Sequence, residues 1–429
     1  MAERLALFAT TARGTEDLLA EELKELGARR IRQDRGGVRF MASLDEALKV
    51  CLWSRIAMRV LYPLGEFEAR GADGLYAAVA SVPWEEHLTP ETTFAVEATL
   101  KDSEHSHTGF VALKVKDAVV DRMRDKRGAR PDVDTRDPDV RVVAHLVREK
   151  LSLSLDLCGE PLHRRGYRVR PTAAPMKETL AAALLRAAGY TGEEALVDPM
   201  CGSGTVLIEG GLIARRRAPG LTRTFAVEKW PHLGTRAREL LEDMRADARR
   251  NERKVAVPLL GFDKDPEALE AALRNVKAAR LGEEIQLTEG DATKLPPLPE
   301  PPGLLLTNPP YGDRIGGAGG QKGMKSFYFK LGDSLRAQKG WRLFVLSGNV
   351  AFESAFHARP SVRRDLWNGP IECTLLGYPP FYEARTRPAQ EARTRPAQEA
   401  RTRPSQAPLR APHQPVNVAA VRPEDEGEE

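Results

Sequence analysis

The stretch that most constrains this chain is Leu304-Leu305-Leu306-Thr307-Asn308-Pro309-Pro310-Tyr311-Gly312. Its three leucines read as the end of a buried strand. The two prolines then remove two backbone N–H donors and fix φ, so the strand cannot continue. A rigid turn is expected at the strand's C-terminal end, where open α/β sheets gather their ligands. That turn suits chemistry on an exocyclic amine of a flat base. The Asn308 side-chain carbonyl and the Pro309 backbone carbonyl can accept from an NH2 group, holding it and drawing its lone pair out of conjugation. Tyr311 supplies a stacking face. An ordinary proline-rich turn is the alternative, and the residues upstream weigh against it.

Ala195 to Glu209 reads as strand, glycine-rich loop, helix, with the loop Asp198-Pro199-Met200-Cys201-Gly202-Ser203-Gly204-Thr205. The glycines permit a tight turn and close approach of backbone to ligand. The dinucleotide fingerprint G-x-G-x-x-G is not met, because Leu207 stands where its last glycine would be. There is no Gly-Lys-Ser/Thr of a phosphate loop either. An acid at the strand end beside a compact Gly-Ser-Gly-Thr turn suits a ligand with a positively charged amino-acid portion. Leu259 to Asp263 is a second strand ending in acids. Asp263 is placed to take the two hydroxyls of a ribose, and Asp265 reads as the N-cap of a helix over 266–280. Ile285 to Leu287 is a third strand. Asp291, after it, can accept a hydrogen bond from an adenine amino group. The loop Gly316–Gly320 reads as a flexible lid, and Asn368-Gly369 as the tight turn of a closing hairpin.

With 429 residues, two or three domains are expected. Residues 1–65 show a strand–helix–strand–helix–strand order of ferredoxin-like type. In 66–170, a helix from Val111 to about Arg124 carries Lys114 and Lys116, and the strands 141–147 and 151–156 pair antiparallel. The run His163 to Arg170 holds four arginines and Tyr167. It is either a solvated connector or a phosphate-contacting patch, with Arg164, Arg165, Tyr167 and Arg168 as its contacts. His105 and His107 lack the cysteines or carboxylates that would make a metal site, and no metal is expected. Residues 171–382 form the α/β domain, interrupted by an Arg- and Glu-rich insertion over about 211–257. Beyond it, Glu-Ala-Arg-Thr-Arg-Pro-Ala-Gln occupies 383–390 and 391–398 and returns with Ser405 at 399–406. This tail, 383–429, lacks apolar residues for a core and is expected to be disordered.

Formal net charge is only +4, from 65 basic and 61 acidic residues, so nucleic-acid contacts must come from local patches. Four scattered cysteines without a C-x-x-C pair fit a reducing cytosol. No signal peptide is expected, and no run approaches the roughly 18 apolar residues of a membrane span.

The set Asp198 to Thr205, Asp263, Asp291 and Asn308 to Tyr311 resembles the class I S-adenosylmethionine-dependent methyltransferases that act on exocyclic amines. Phe8 to Gly14, Gly109 to Ala118, Leu162 to Arg168, Pro175 to Leu180 and Asn368 to Cys373 resemble the THUMP-containing bacterial rRNA guanine-N2 methyltransferases. The resemblance implies a Rossmann-like catalytic domain preceded by a ferredoxin-like and THUMP RNA-binding region. It implies S-adenosylmethionine as cofactor and a guanine of 23S rRNA as target. Asp198, Gly202, Gly204 and Thr205 would surround the methionine portion, Asp263 the ribose and Asp291 the adenine. Asn308, Pro309, Pro310 and Tyr311 would hold the guanine. Lys114 and Lys116 would join the connector's residues in contacting RNA. No second methyltransferase domain is expected behind the first. A tRNA guanine-N2 methyltransferase, an adenine-N6 methyltransferase and a non-catalytic RNA-binding assembly factor are the other readings.

Overall fold

In the computed structural model, which describes residues 4–169, 176–311 and 320–382, two hydrophobic patterns build two sheets. The first 68 residues give β1 (Leu5–Thr10), α1 (Glu16–Glu25), β2 (Arg29–Asp34), β3 (Gly37–Ala42), α2 (Leu44–Trp53) and β4 (Arg59–Glu68). There follow α3 (Gly71–Ala80), β5 (Thr93–Lys101), α4 (Thr108–Arg127), β6 (Asp132–Val133), β7 (Val140–Val147) and β8 (Lys150–Asp156). These eight strands join in the order β2-β3-β1-β4-β8-β7-β5-β6. Alternating burial along β7 puts one face of the sheet on the core.

Two features depart from expectation. The strand–helix–strand–helix–strand reading omitted β2, because its sequence Arg-Arg-Ile-Arg-Gln-Asp is almost wholly exposed and has no apolar face to reveal it. A division at 65/66 falls inside β4, which pairs with β1 on one side and with β8 on the other. The first two regions therefore share one continuous sheet.

The second half gives α5 (Glu178–Ala187), β9 (Leu196–Asp198), α6 (Thr205–Ala214), α7 (Gly234–Arg250), β10 (Leu259–Asp263), α8 (Pro266–Ala278), β11 (Ile285–Glu289) and β12 (Leu304–Thr307). It closes with α9 (Gly320–Arg336), β13 (Arg342–Ser347), α10 (Ala351–Phe356), β14 (Val362–Asn368) and β15 (Ile371–Tyr378). The strand order is β11-β10-β9-β12-β13-β15-β14, parallel from β11 to β13 with β15 antiparallel. Its short central strands are apolar on both faces, as a sheet covered by helices requires. The expected α/β fold is present. The strand order reverses between β9 and β12, the crevice where doubly wound sheets bind ligands. Gly369, with φ +64°, makes the expected β14–β15 turn.

The insertion is less polar in effect than in composition. Leu221, Phe225, Val227, Trp230, Ala237 and Leu241 join the core of the N-terminal half, not that of the α/β sheet. A second seam runs along β14. Trp367 N–H donates to the Arg13 carbonyl at 3.1 Å, and Arg364 makes a two-pronged pair with Asp17 at 2.6 and 2.8 Å. Among the described residues no helix is long and apolar enough to cross a membrane.

Candidate active site

Four strand ends converge on the switch point. At the end of β9, Asp198 is only 2% exposed and accepts the Met200 N–H at 3.1 Å. Burial pushes its carboxyl up to about 7. That hydrogen bond opposes the shift, and the charge of Asp263 adds to it. A buried acid this reluctant to ionise alone is suited to a cationic ligand. The chain then turns into α6 through Gly202 and Gly204, at φ +52° and +80°, a region costly for any residue with a Cβ. Thr205 opens the helix.

Asp263 ends β10 and ties this loop down. Its Oδ2 accepts the Gly202 N–H at 2.8 Å and its Oδ1 the Asp265 N–H at 3.0 Å. A carboxylate offers about four lone-pair sites, so acceptors remain for a ligand diol. Asp265 caps α8 by accepting the Glu267 N–H at 3.0 Å, as its position suggested. Asp291 follows β11, and its Oδ1 takes both the Thr293 N–H (2.9 Å) and hydroxyl (2.8 Å). Partial burial raises its pKa, but those two bonds and the charges of Lys294 and Lys264 outweigh it and hold the carboxyl below its usual value.

Beyond the fully buried β12, Asn308, Pro309, Pro310 and Tyr311 end the strand as expected, but as an irregular segment and not as a hydrogen-bonded turn, since two prolines remove the N–H donors such a turn would use. Its carbonyls are braced from two later elements. The Tyr328 hydroxyl donates to Pro310 O at 2.7 Å, and Asn349 Nδ2 to Tyr311 O at 2.9 Å. No described residue bonds the Pro309 carbonyl, the one the sequence marks for an amine. The Tyr311 hydroxyl donates to Asn308 Oδ1, fixing that acceptor's orientation. The Tyr311 ring lies so close to Gly348 that a Cβ there would sit 2.9 Å from it.

The connector is a correction. Tyr167 and Arg165 are 4% and 6% exposed, out of reach of an RNA backbone. The Tyr167 hydroxyl donates to Glu209 at 3.0 Å inside α6, and Arg165 donates to the carbonyls of Leu162 and Arg55 at 2.6 Å each. Arg168 donates to Glu178, Ser203, Thr205 and the Met176 carbonyl, which props the glycine-rich loop. The arginines form a clamp between the two halves, since each buried guanidinium must find acceptors. Arg164 is exposed, and it pairs with Glu160. Lys114 and Lys116 lie partly exposed on α4, with Lys116 2.7 Å from Asp117.

Sequence reasoning missed Asn275. It is fully buried on α8, accepts the Val169 N–H at 3.1 Å, and donates to Ser203 O at 3.0 Å. An asparagine on the apolar face of an amphipathic helix was the available signal. The lid residues 316–319 lie outside the described residues, as does the tail 383–429.

Residues 165–376 match the RMKL-like methyltransferase domain, 69–156 the THUMP domain and 6–61 the RlmL ferredoxin-like domain. A Synechocystis protein named "Putative RNA methyltransferase slr0064" is 40% identical, the alignment covering 86% of this chain and 96% of that one. The chain belongs to the THUMP-containing RNA methyltransferase family. Within that family, the ribosomal RNA large subunit methyltransferase K/L of Syntrophotalea carbinolica is 44% identical over 87% of this chain. The match covers 53% of that protein, so the chain spans about half the length of the K/L relatives it matches. A solved structure titled "SMU.472, a putative methyltransferase complexed with SAH" covers 90% of this chain and 100% of its own, with a TM-score of 0.79 and 29% identity. The family's cofactor suits the residues present. A buried acid faces the need for a cation, a glycine loop leaves room for close approach, and two further acids retain acceptor capacity.

Proposed function

We propose that this chain transfers a methyl group from S-adenosylmethionine to the exocyclic N2 amine of a guanine in 23S rRNA. The observation that carries the reading is the braced segment 308–311 at the switch point of the sheet, where Pro310 O and Tyr311 O accept from Tyr328 and Asn349 while no described residue bonds the Pro309 carbonyl. In this reading, residues 1–65 and 66–170 bring RNA to the catalytic part, 171–382. The cofactor, when bound, supplies an electrophilic methyl group. Asp198, Gly202, Gly204 and Thr205 receive its amino-acid end, with the ionised Asp198 carboxylate meeting the ammonium. Asp263 takes the ribose hydroxyls through its remaining lone pairs, and Asp291 the adenine amine through Oδ2. Asn308 Oδ1 and the Pro309 carbonyl accept from the guanine amine, freeing its lone pair toward the methyl group, with Tyr311 beside the base. Catalysis is then orientation and polarisation of a neutral amine. The target base must leave its stack, at a cost of a few kcal/mol that is smallest in a loop or bulge.

The test is methyl transfer from labelled S-adenosylmethionine to separately purified large-subunit rRNA and tRNA from cells lacking this gene, followed by nucleoside digestion. N2-methylguanosine in rRNA alone is the expected product. The same nucleoside in tRNA alone moves the substrate, and N6-methyladenosine overturns the base. Cofactor binding without transfer to naked RNA or to a pre-ribosomal particle favours a non-catalytic assembly factor.

A further inference from the structure

Three sequence segments that the catalytic site does not use meet at one place. The loop after β1 (Thr11, Ala12, Arg13), the start of α5 (Lys177, Thr179) and the β14–β15 turn (Trp367, Asn368, Gly369) line a cavity of about 310 Å³. It lies on the seam where the N-terminal sheet docks against edge strand β14. Its walls are fixed. Gly14 packs on the β14 backbone so tightly that a Cβ would stand 2.3 Å from the Asp365 carbonyl, and the Trp367 N–H bonds the Arg13 carbonyl. The Arg13 guanidinium lies over the Trp367 ring, 3.8 Å from its centroid. This holds the side chain in one orientation while leaving its N–H edges available.

The charge is unbalanced here. Neither Arg13 nor Lys177 has an ion pair among the described residues, and both are exposed. Nearby acids are already engaged. Glu16 accepts the N–H groups of Gly14 and Gly36, Asp17 holds Arg364, and Glu178 holds Arg168. At the wall, Thr179 is 2% exposed, and its hydroxyl has no partner among the described residues. A buried hydroxyl left unpaired is costly, and a ligand oxygen would relieve it. The hairpin that lines the cavity also reaches toward Tyr311. Ile371, two residues past Gly369, flanks Gly348 together with the Tyr311 ring.

We propose that this cavity binds the phosphate and ribose of a nucleotide flanking the methylated base. Arg13 and Lys177 take the phosphate. Arg13 is preorganised by Trp367 for the fork-like contact that guanidinium makes with phosphate oxygens. Thr179 Oγ1 takes the ribose 2′-hydroxyl, the group that distinguishes RNA from DNA. The site spans both halves of the chain, so it registers the RNA held by the N-terminal sheet against the catalytic segment. The proposal rests on the reading of the substrate as RNA.

The experiment uses the full chain and a fluorescein-labelled mixed-sequence oligoribonucleotide, with its 2′-deoxy counterpart, titrated by anisotropy over a range of salt. Arg13→Gln and Lys177→Gln are each expected to weaken RNA binding about 3- to 10-fold and to flatten the logarithmic salt slope by about 0.7. Thr179→Val is expected to lower the RNA-over-DNA preference, with S-adenosylhomocysteine affinity unchanged in all three. Lys177 is exposed, so its variant keeps the test valid if loss of the Arg13–Trp367 stack unfolds the loop. Wild-type binding with unchanged affinity and slope in Lys177→Gln, and unchanged sugar preference in Thr179→Val, overturns the subsite and leaves the RNA reading standing. A wild-type chain without affinity for either oligonucleotide overturns both.

Discussion

The Asp263 carboxylate accepts the backbone N–H of Gly202 at 2.8 Å, so the acid at the end of β10 also holds the glycine-rich loop at the end of β9. Asp263→Ala removes this bond and the one from Asp265 together. Each is worth about 0.5–1.5 kcal/mol, and the lost ligand contact adds to them. S-adenosylhomocysteine affinity is expected to fall about 10- to 100-fold by calorimetric titration. Asp263→Asn keeps one carbonyl oxygen as acceptor and is expected to lose less. Equal losses in the two variants would mean that charge, not loop tethering, is the main contribution.

Asp198 gives the site a pH dependence of definite sign. Burial holds its carboxyl at about 7 in the folded chain, well above the usual carboxylate range. A raised acid favours the folded state while it is neutral, and that contribution is lost as pH rises through about 7. Relative to Asp198→Asn, which does not titrate, the ligand-free wild type is expected to lose stability from pH about 4 to about 7 and then level off. Ligand binding has the opposite sign, because only the ionised carboxylate attracts an ammonium group. The rise in unfolding midpoint caused by S-adenosylhomocysteine is expected to grow as pH increases through about 7. A cofactor shift that shrinks with rising pH would remove Asp198 from the ammonium site.

The buried clamp predicts that the connector matters for stability rather than for RNA affinity. Glu209 is fully buried between Arg165 and Arg55, and Tyr167 donates to it. Burial pushes the Arg55 pKa down to about 10, although Glu209 pulls it the other way. Glu209→Ala strands two buried guanidiniums and is expected to cost about 3–5 kcal/mol. Tyr167→Phe deletes one hydrogen bond and should cost about 1 kcal/mol. Denaturant unfolding measures both. RNA affinity of Tyr167→Phe is expected to match wild type, and a marked loss in a folded variant would restore the surface-patch reading.

The same contrast shows what a sequence can and cannot disclose. The strand ends at the switch point were legible because strand, acid and glycine loop are local patterns, each needing only a few adjacent residues. Asp265 was read correctly as a cap for the same reason. The fate of Arg165 and Tyr167 was not legible. A run of arginines looks the same whether it meets phosphate or buried carbonyls, and the acceptors at Arg55 and Glu209 are 110 and 42 residues away. Strand β2 was hidden because an exposed edge strand carries no hydrophobic alternation. The insertion looked polar because only one face of α7, through Ala237 and Leu241, enters the neighbouring core.

The amine site itself predicts a separation of catalysis from cofactor binding. In the proposed reading Asn308 and the Pro309 carbonyl act only on the amine, so Asn308→Ala is expected to lower kcat about 100- to 1,000-fold, in line with loss of one preorganised polar contact to a reacting group. S-adenosylhomocysteine affinity should stay at the wild-type value. Gly348→Ala provides an independent probe, because its added methyl group meets Tyr311 and Ile371 and leaves Asn308 itself unchanged. Its Cβ would stand 2.9 Å from the Tyr311 ring and 3.1 Å from Ile371, so the ring must move. That displaces the hydroxyl that holds Asn308 Oδ1. Single-turnover methyl transfer at saturating RNA is expected to slow in Gly348→Ala, and Tyr311→Phe, which removes the same hydroxyl without a clash, should show a smaller loss. Wild-type turnover in Asn308→Ala would end the case for amine polarisation at this segment. Wild-type turnover in Gly348→Ala alone would show that the Tyr311 ring can shift without disturbing Asn308.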